Sequence, residues 1–204
     1  MTATTTTLDL NGMTDLPAEK IAFIVTTLEM SKAPDWKAEE RPDLVLERWE
    51  EADLAHFRDL YRAVGSEWLW FSRLMMEDAE LKAILHKPTT ELYVPKHNGR
   101  DAGILELDFS DAEAVEVMFF GLKPDAIGTG VGRWLMSKAL ELVWSRPATK
   151  RVWLHTCTGD SPQALGCYRS CGFIPYTRAI EVADDPRKLG VFDPQLGAHV
   201  PCLK

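Results

Sequence analysis

No run in this chain is apolar for long enough to span a bilayer. The opening residues, MTATTTTLDLNG, have neither the basic start nor the apolar centre of an export signal. Both absences predict a cytoplasmic protein with no membrane partner and a disordered tail over residues 1–12. Cysteine is scarce. Cys157, Cys167, Cys171 and Cys202 include no Cys-x-x-Cys pair, so no disulfide framework is encoded and a reducing compartment fits. Positive charge is also short: 23 Lys and Arg stand against 31 Asp and Glu, a net charge of −8. Nonspecific nucleic-acid binding needs Lys and Arg to neutralise phosphates, so nucleic acid is excluded and a small cationic partner is favoured. No internal repeat and no linker-like stretch divides the chain.

What is present suits one domain, placed over residues 13–183, with an irregular Pro- and Gly-rich tail over 184–204. Hydrophobic residues make up 46% of the chain, enough for a full core. KIAFIVTTLEM (20–30) and LVLERWE (44–50) read as strands. EADLAHFRDLYRAVG reads as a helix with Leu54, Phe57, Leu60, Tyr61 and Val64 on one stripe and Gly65 at its end. SEWLWFSRLMMEDAELKAILHKP predicts one or two short helices, with Asp78 as an N-cap and Pro88 as a stop. Asn98-Gly99 marks a hairpin turn inside ELYVPKHNGRDAGILELDF. AVEVMFFGL follows as a strand. A helix then carries Val131, Leu135, Ala139, Leu142 and Val143 on one face. KRVWLHTCT, SPQALGCYRSCG and FIPYTRAIEV close the domain as strand, helix and strand. The fold class is therefore mixed α/β, a sheet with helices packed on it.

One metal constellation is available in principle. His155 and Cys157 share a strand face, and Cys167 and Cys171 lie one helical turn apart. Such groups can bind zinc, but small apolar cysteines commonly pack in cores, and no metal is expected.

The strongest signal is KPDAIGTGVGRWLM (123–136). Gly128, Gly130 and Gly132 lie between a strand and a helix. Glycines let backbone approach a ligand and take positive φ, and a helix start presents unpaired N–H groups. The pair makes an anion site, most often for phosphate. A Walker loop fails because Gly132 is followed by Arg133-Trp134 rather than Lys-Ser/Thr. A Rossmann loop fails because the final glycine place holds Arg133 and too few βα units follow.

IGTGVG resembles the loop of the GNAT acetyltransferase superfamily, Gln/Arg-x-x-Gly-x-Gly/Ala, with Gly130 and Gly132 in the glycine places. Downstream, SPQALGCYRSCGF resembles that family's Asn-x-x-Ala-x-x-φ-Tyr-x-x-x-Gly-Phe segment through Ala164, Tyr168, Gly172 and Phe173. The resemblance runs over about residues 44–182. Two positions depart from the pattern: Ile127 replaces Gln/Arg, and Ser161 replaces Asn.

The resemblance implies a mixed, mostly antiparallel central sheet flanked by helices. It also implies an N-acetyltransferase that moves an acetyl group from acetyl-CoA to a primary amine by direct attack on the thioester. The amides of Gly128, Thr129, Gly130, Val131, Gly132 and Arg133 would hold the pyrophosphate, with Ser161 able to hydrogen-bond nearby. The strand end Phe120, Gly121 and Leu122 would pair with pantetheine, and a backbone N–H there would polarise the thioester oxygen. Tyr168 would protonate the departing thiolate. The WLWF stretch would cover the acceptor pocket. A homodimer is compatible with the sequence, and a non-catalytic acyl-CoA sensor on the same fold is the alternative reading.

An amine nucleophile must lose a proton before attack. Glu116 interrupts an apolar strand and is the candidate base, with His155 as its rival. Glu106 and Asp108 share one face of the preceding strand. Whether Glu116 faces Glu106 or Leu107 depends on register, which the sequence leaves open. Trp68, Trp70 and Phe71 are candidate core or cleft aromatics.

Overall fold

The computed structural model describes residues 7–203. Residues 1–6, half of the expected disordered tail, lie outside the described residues. Residues 7–12 are exposed and include a turn in which Asp9 accepts the Asn11 N–H at 2.8 Å.

Among the described residues eight strands form one sheet: β1 (Lys20–Met30), β2 (Leu44–Trp49), β3 (Thr90–His97), β4 (Arg100–Asp101), β5 (Gly103–Asp108), β6 (Ala114–Leu122), β7 (Arg151–Cys157) and β8 (Ile174–Asp184). Their order is β2-β3-β5-β6-β7-β1-β8, with β4 pairing β3. Every pairing is antiparallel except β6 with β7. The first strand thus lies between two of the last, pairing β7 on one side and β8 on the other. The predicted hairpin turn is formed, with Asn98 at φ 50° and Gly99 at φ 77°. Two consecutive positive φ values match the twist of the flanking strands.

Four helices cover the sheet: α1 (Leu54–Gly65), α2 (Asp78–Leu85), α3 (Val131–Trp144) and α4 (Ala164–Ser170). Asp53 caps α1 by accepting the His56 N–H at 2.8 Å. The expected N-cap of α2 is displaced by one residue. Glu77 takes the extended cap conformation, and Asp78 is the first helical residue. Its carboxylate still meets the positive end of the helix dipole. Ahead of α2 the chain makes two 3-10 turns, Ser66–Trp68 and Ser72–Leu74. On α3, Leu142 is only half-buried, whereas Trp134, Met136 and Leu140 join the predicted face. The buried face is wider than a single stripe because the segment before β2 packs on the far side of the helix, through Ala38 N–H to Ser137 Oγ at 2.9 Å.

The sheet divides the core. On one face α3 and α4 pack on Leu105, Leu107, Val115, Val117, Val152 and Leu154. On the other, Phe57, Leu60, Tyr61 and Val64 of α1 and Leu81 and Leu85 of α2 pack on Leu92, Val94 and Ile104. Beyond Asp184 the chain has no further helix or strand among the described residues, but it is tied down. Buried Arg187 pairs with Asp185 at 2.8 Å and donates to the carbonyl of Val200 at 2.8 Å. No helix of the described residues is long and apolar enough to cross a membrane.

One ion pair lies inside the α1 face. Arg73 Nη2 meets Glu106 Oε1 at 2.5 Å, with both residues buried. Arg73 Nε and Glu106 Oε2 have no partner. Removing one member strands a charge in low dielectric. Arg73→Ala or Glu106→Ala should therefore cost about 3–5 kcal/mol in urea unfolding, and the double change Arg73→Met/Glu106→Leu should recover most of that loss. A double-variant loss equal to the sum of the two single losses would mean that the pair is not coupled.

Candidate active site

β6 and β7 pair only at Ala114–Arg151, Val115–Val152 and Glu116–Trp153. Beyond that point they part. β6 stays paired with β5 out to Leu122, and β7 stays paired with β1 out to Cys157. Two strands of one sheet therefore run on with facing edges that do not hydrogen-bond to each other. Those backbone groups need partners, and an extended ligand can supply them. Phe120, Gly121 and Leu122 lie in this parted segment.

The glycine loop follows directly. Pro124–Ala126 makes a 3-10 turn, and Gly128 and Gly130 take φ 78° and 86° before α3 begins at Val131. The amides from Gly128 through Arg133 have no hydrogen-bond acceptor among the described residues; the first paired N–H is that of Trp134, to Gly130 O at 3.2 Å. Space is left for a ligand, since a Cβ at Gly128 would meet nothing within 4 Å. This is a backbone anion cradle at a helix start.

Sequence reading missed Arg41, which comes from the segment before β2. Its Nη1 donates to Thr129 O at 2.7 Å, and a Cβ at Gly130 would stand 3.2 Å from it. Asp43 holds the guanidinium in place, and the contact lowers the Asp43 carboxyl to about 2. Ile127, which stands where the resembled loop has Gln or Arg, is exposed. The loop thus gains from a distant segment the cation that its own sequence lacks. The Arg133 side chain lies over the Trp36 ring at 4.4 Å, while its amide stays among the free ones. Ser161 is engaged locally, its hydroxyl donating to Gln163 Oε1 at 2.6 Å.

Glu116 sits at the fork itself, as the last residue of β6 paired with β7. Across the β5 ladder it faces Asp108, not Glu106 or Leu107; without the irregularity between Glu106 and Leu107 the register would set it against Phe109. Glu116 is buried, and its Oε1 lies 3.3 Å from Nδ1 of half-exposed His155. The rival bases are therefore one unit. Hydrogen bonding to Glu116 raises the His155 pKa above its ordinary 6.5, against burial, with the charges of Asp160 and Glu181 adding to the rise. Burial pushes Glu106 up from the usual carboxylate range despite Arg73, and the charges of Asp108 and Glu116 add to it.

Tyr168 lies on the opposite face, on α4. Its ring packs edge-on against Phe120 at 6.0 Å and Phe173 at 6.3 Å. Its hydroxyl has no protein hydrogen bond among the described residues, and burial raises its pKa well above the phenol range, so it stays protonated. On the Glu116 side, Trp70 spans the opening. A Cβ on Gly121 of β6 would come 2.8 Å from its Cη2, while its Nε1 donates to Asp160 Oδ1, past the end of β7, at 3.1 Å. Asp160 also accepts from Thr156 Oγ1 at 2.7 Å and Cys157 N at 2.9 Å. Of the predicted aromatics only Trp70 reaches the opening; Trp68 packs on His199 at 5.7 Å. The four zinc candidates do not converge. His155 and Cys157 share the Glu116 face of β7, whereas buried Cys171 belongs to the α3 side, where its thiol contacts Cys167. A 390 Å³ cavity between Trp36 and Trp144 lies on the outer side of α3, away from the fork.

The mixed sheet thus carries a fork, free amides after β6 and a protonated phenol packed on Phe120 of the same strand. The model of the Acetyltransferase (GNAT) family matches residues 35–173, and the chain belongs to that family. No curated protein sequence matches. Among solved structures, a functionally unknown conserved protein from Staphylococcus epidermidis is similar at 15% identity and TM-score 0.59, over 81% of this chain and 63% of that one. This chain therefore spans less than two thirds of that relative's length. A putative GNAT acetyltransferase from Novosphingobium aromaticivorans is similar at 16% identity and TM-score 0.56, over 84% and 70% of the two chains. An aminoglycoside acetyltransferase from an uncultured soil metagenomic sample is similar at 18% identity and TM-score 0.52, over 64% and 88%. Likeness at these identities carries the fold.

Because the Tyr168 hydroxyl forms no hydrogen bond within the protein, Tyr168→Phe removes no structural interaction. Its unfolding free energy should stay within about 0.5 kcal/mol of the parent, as read by denaturant titration. A larger loss would assign the hydroxyl a structural role.

Proposed function

We propose that the chain is an acetyl-CoA-dependent N-acetyltransferase acting on a primary amine. The observation that carries this reading is the fork between β6 and β7, with free amides after one arm and the Glu116–His155 pair at its vertex. Acetyl-CoA supplies the acetyl thioester. The amides of Gly128 to Arg133 bind its pyrophosphate, with Arg41 adding the positive charge, and the free edge of β6 at Phe120 to Leu122 aligns the pantetheine arm. A β6 backbone N–H polarises the thioester oxygen.

The acceptor approaches on the face that carries Glu116, His155, Glu106 and Asp108. That face is rich in carboxylates, which attracts a protonated amine. His155, oriented by Glu116, takes the amine proton. The nitrogen lone pair then forms the bond to the acetyl carbon as the carbon–sulfur bond breaks. Tyr168, on the other face, donates its proton to the departing sulfur, so charge does not remain on the thiolate; the second proton of the acetylated nitrogen leaves to solvent, and solvent returns one to the phenolate. Tyr168→Phe should lower turnover by about 10²- to 10⁴-fold, the usual worth of a positioned general acid. Acetyl-CoA bound without turnover across a broad amine screen would favour a sensor instead.

Donor binding is tested by calorimetry. Gly130→Asp adds a carboxylate where phosphate sits and strains a position at φ 86°. Gly132→Asp adds the carboxylate at a position without that strain. Both should weaken acetyl-CoA binding by more than about 10-fold, and Arg41→Ala by about 10-fold, the worth of one charged hydrogen bond. Wild-type affinity in the glycine variants would move the donor elsewhere.

The base is tested by pH. A neutral imidazole accepts the proton, so the rate should rise with pH through an apparent pKa above 6.5, because Glu116 stabilises the imidazolium. Glu116→Gln removes that stabilisation. The rising limb should then move to lower pH while the plateau rate falls. A limb that stays in place in Glu116→Gln removes the pair from the chemistry.

A further inference from the structure

The two edges of the sheet are unlike. β2 is six residues long and its charges are engaged, Glu47 with Lys96 at 3.4 Å and Arg48 with Glu91 at 3.1 Å. A short, charged edge is protected against further pairing. β8 is eleven residues long, pairs only with β1, and is exposed at every residue except half-buried Ala183. Among the described residues no strand pairs with its outer edge. Pro175 and the register shift near it blunt the start of the strand, but from Tyr176 to Ala183 there is no proline and no lysine. Apolar side chains line this run: Val182 is 51% exposed, Ile180 44% and Tyr176 46%. Ile24, opposite Ile180 on β1, extends the exposed stripe.

The open backbone asks for a strand rather than a generic apolar surface, and the sequence of β8 is complementary to itself. In an antiparallel pairing about a two-fold axis at Ile180, Ile180 meets its own copy, Arg178 faces Val182, and Glu181 faces Ala179. Thr177 faces Ala183, and Tyr176 faces Asp184. No like charges are opposed, and Arg178 lies diagonally across from Asp184 of the second copy, within reach of a long side chain. On one face, Ile180, Val182 and Ile24 from both copies join into a single apolar stripe.

We propose that β8 docks antiparallel against β8 of a second copy of this chain, making one continuous sheet across a two-fold dimer. The interface lies beyond β1 from the fork, so it does not depend on the catalytic reading. Each copy carries a net charge of −8, which opposes association, so salt strengthens the dimer by screening.

Sedimentation velocity of the full chain over about 1–100 μM, at low and at 0.5 M salt, tests this. The expected result is a monomer–dimer equilibrium that shifts toward dimer in high salt. Deuterium exchange at the β8 amides should be slow in concentrated samples and fast in dilute ones. Ile180→Lys places like charges on the axis and should give monomer with an unchanged far-UV spectrum. Arg178→Glu, at an exposed position that cannot disturb the core, should raise the dimer Kd at least about 10-fold. A chain that stays monomeric at every concentration overturns the proposal, as does a dimer that survives both substitutions in folded protein. Protection of β8 that does not depend on concentration overturns it too.

Discussion

Two neighbouring strands cannot share hydrogen bonds where they no longer lie side by side, and here β6 and β7 part after Glu116 and Trp153. Unpaired backbone in a sheet is costly unless water or a ligand satisfies it, so the separation must be held by contacts on both faces. On the α3 side the wedge is aromatic: Phe120 against Tyr168, and Tyr168 against Phe173. On the α1 side it is Trp70, packed over Gly121 and hydrogen-bonded to Asp160, which in turn grips Thr156 and the Cys157 amide. The chain can tolerate no Cβ at Gly121 because Val64 and Trp70 already fill that volume. The opening is thus built into the packing.

The same separation sorts the electrostatics. On the proposed reading the acidic chain binds an anion at one end of the fork, through neutral backbone amides and a single guanidinium that is paired to Asp43. The carboxylates that give the sheet its negative face sit on the other side, at Glu106, Asp108 and Glu116. Arg73 neutralises only the deepest of them. The proposed anionic donor and cationic acceptor would therefore meet opposite local fields although the net charge is uniform in sign.

Much of this was legible in the sequence because it is local. Alternation marked the strands, Asn98-Gly99 marked the hairpin, and glycine spacing after an apolar strand marked the loop ahead of α3. What could not be read depends on pairing across the chain. The irregularity opposite Glu106 decides that Glu116 faces Asp108, and no local pattern announces it. Arg41 reaches Thr129 from 88 residues away. Trp70 meets Asp160 at a similar remove, and Trp68, two residues earlier, looked the same in the sequence yet packs elsewhere. The placement of β1 between β7 and β8 was equally hidden, since a strand's neighbours depend on topology and not on its own residues.

That placement bears on the fork. The family match begins at residue 35, so β1 lies outside it. Yet β1 pairs β7 from Val152 through Cys157, which includes the length from Leu154 onward over which β7 has left β6. Without β1, β7 would have no strand partner on either edge past Trp153, and nothing in the sheet would fix its position beside the opening. With β1 in register, β7 is paired on that side past the parting. β1 is held in turn by β8 over nearly its whole length, from Lys20–Asp184 to Glu29–Ile174. The opening is kept by the strand before the matched region and the strand after it, so the chain's two ends together brace the site at its centre.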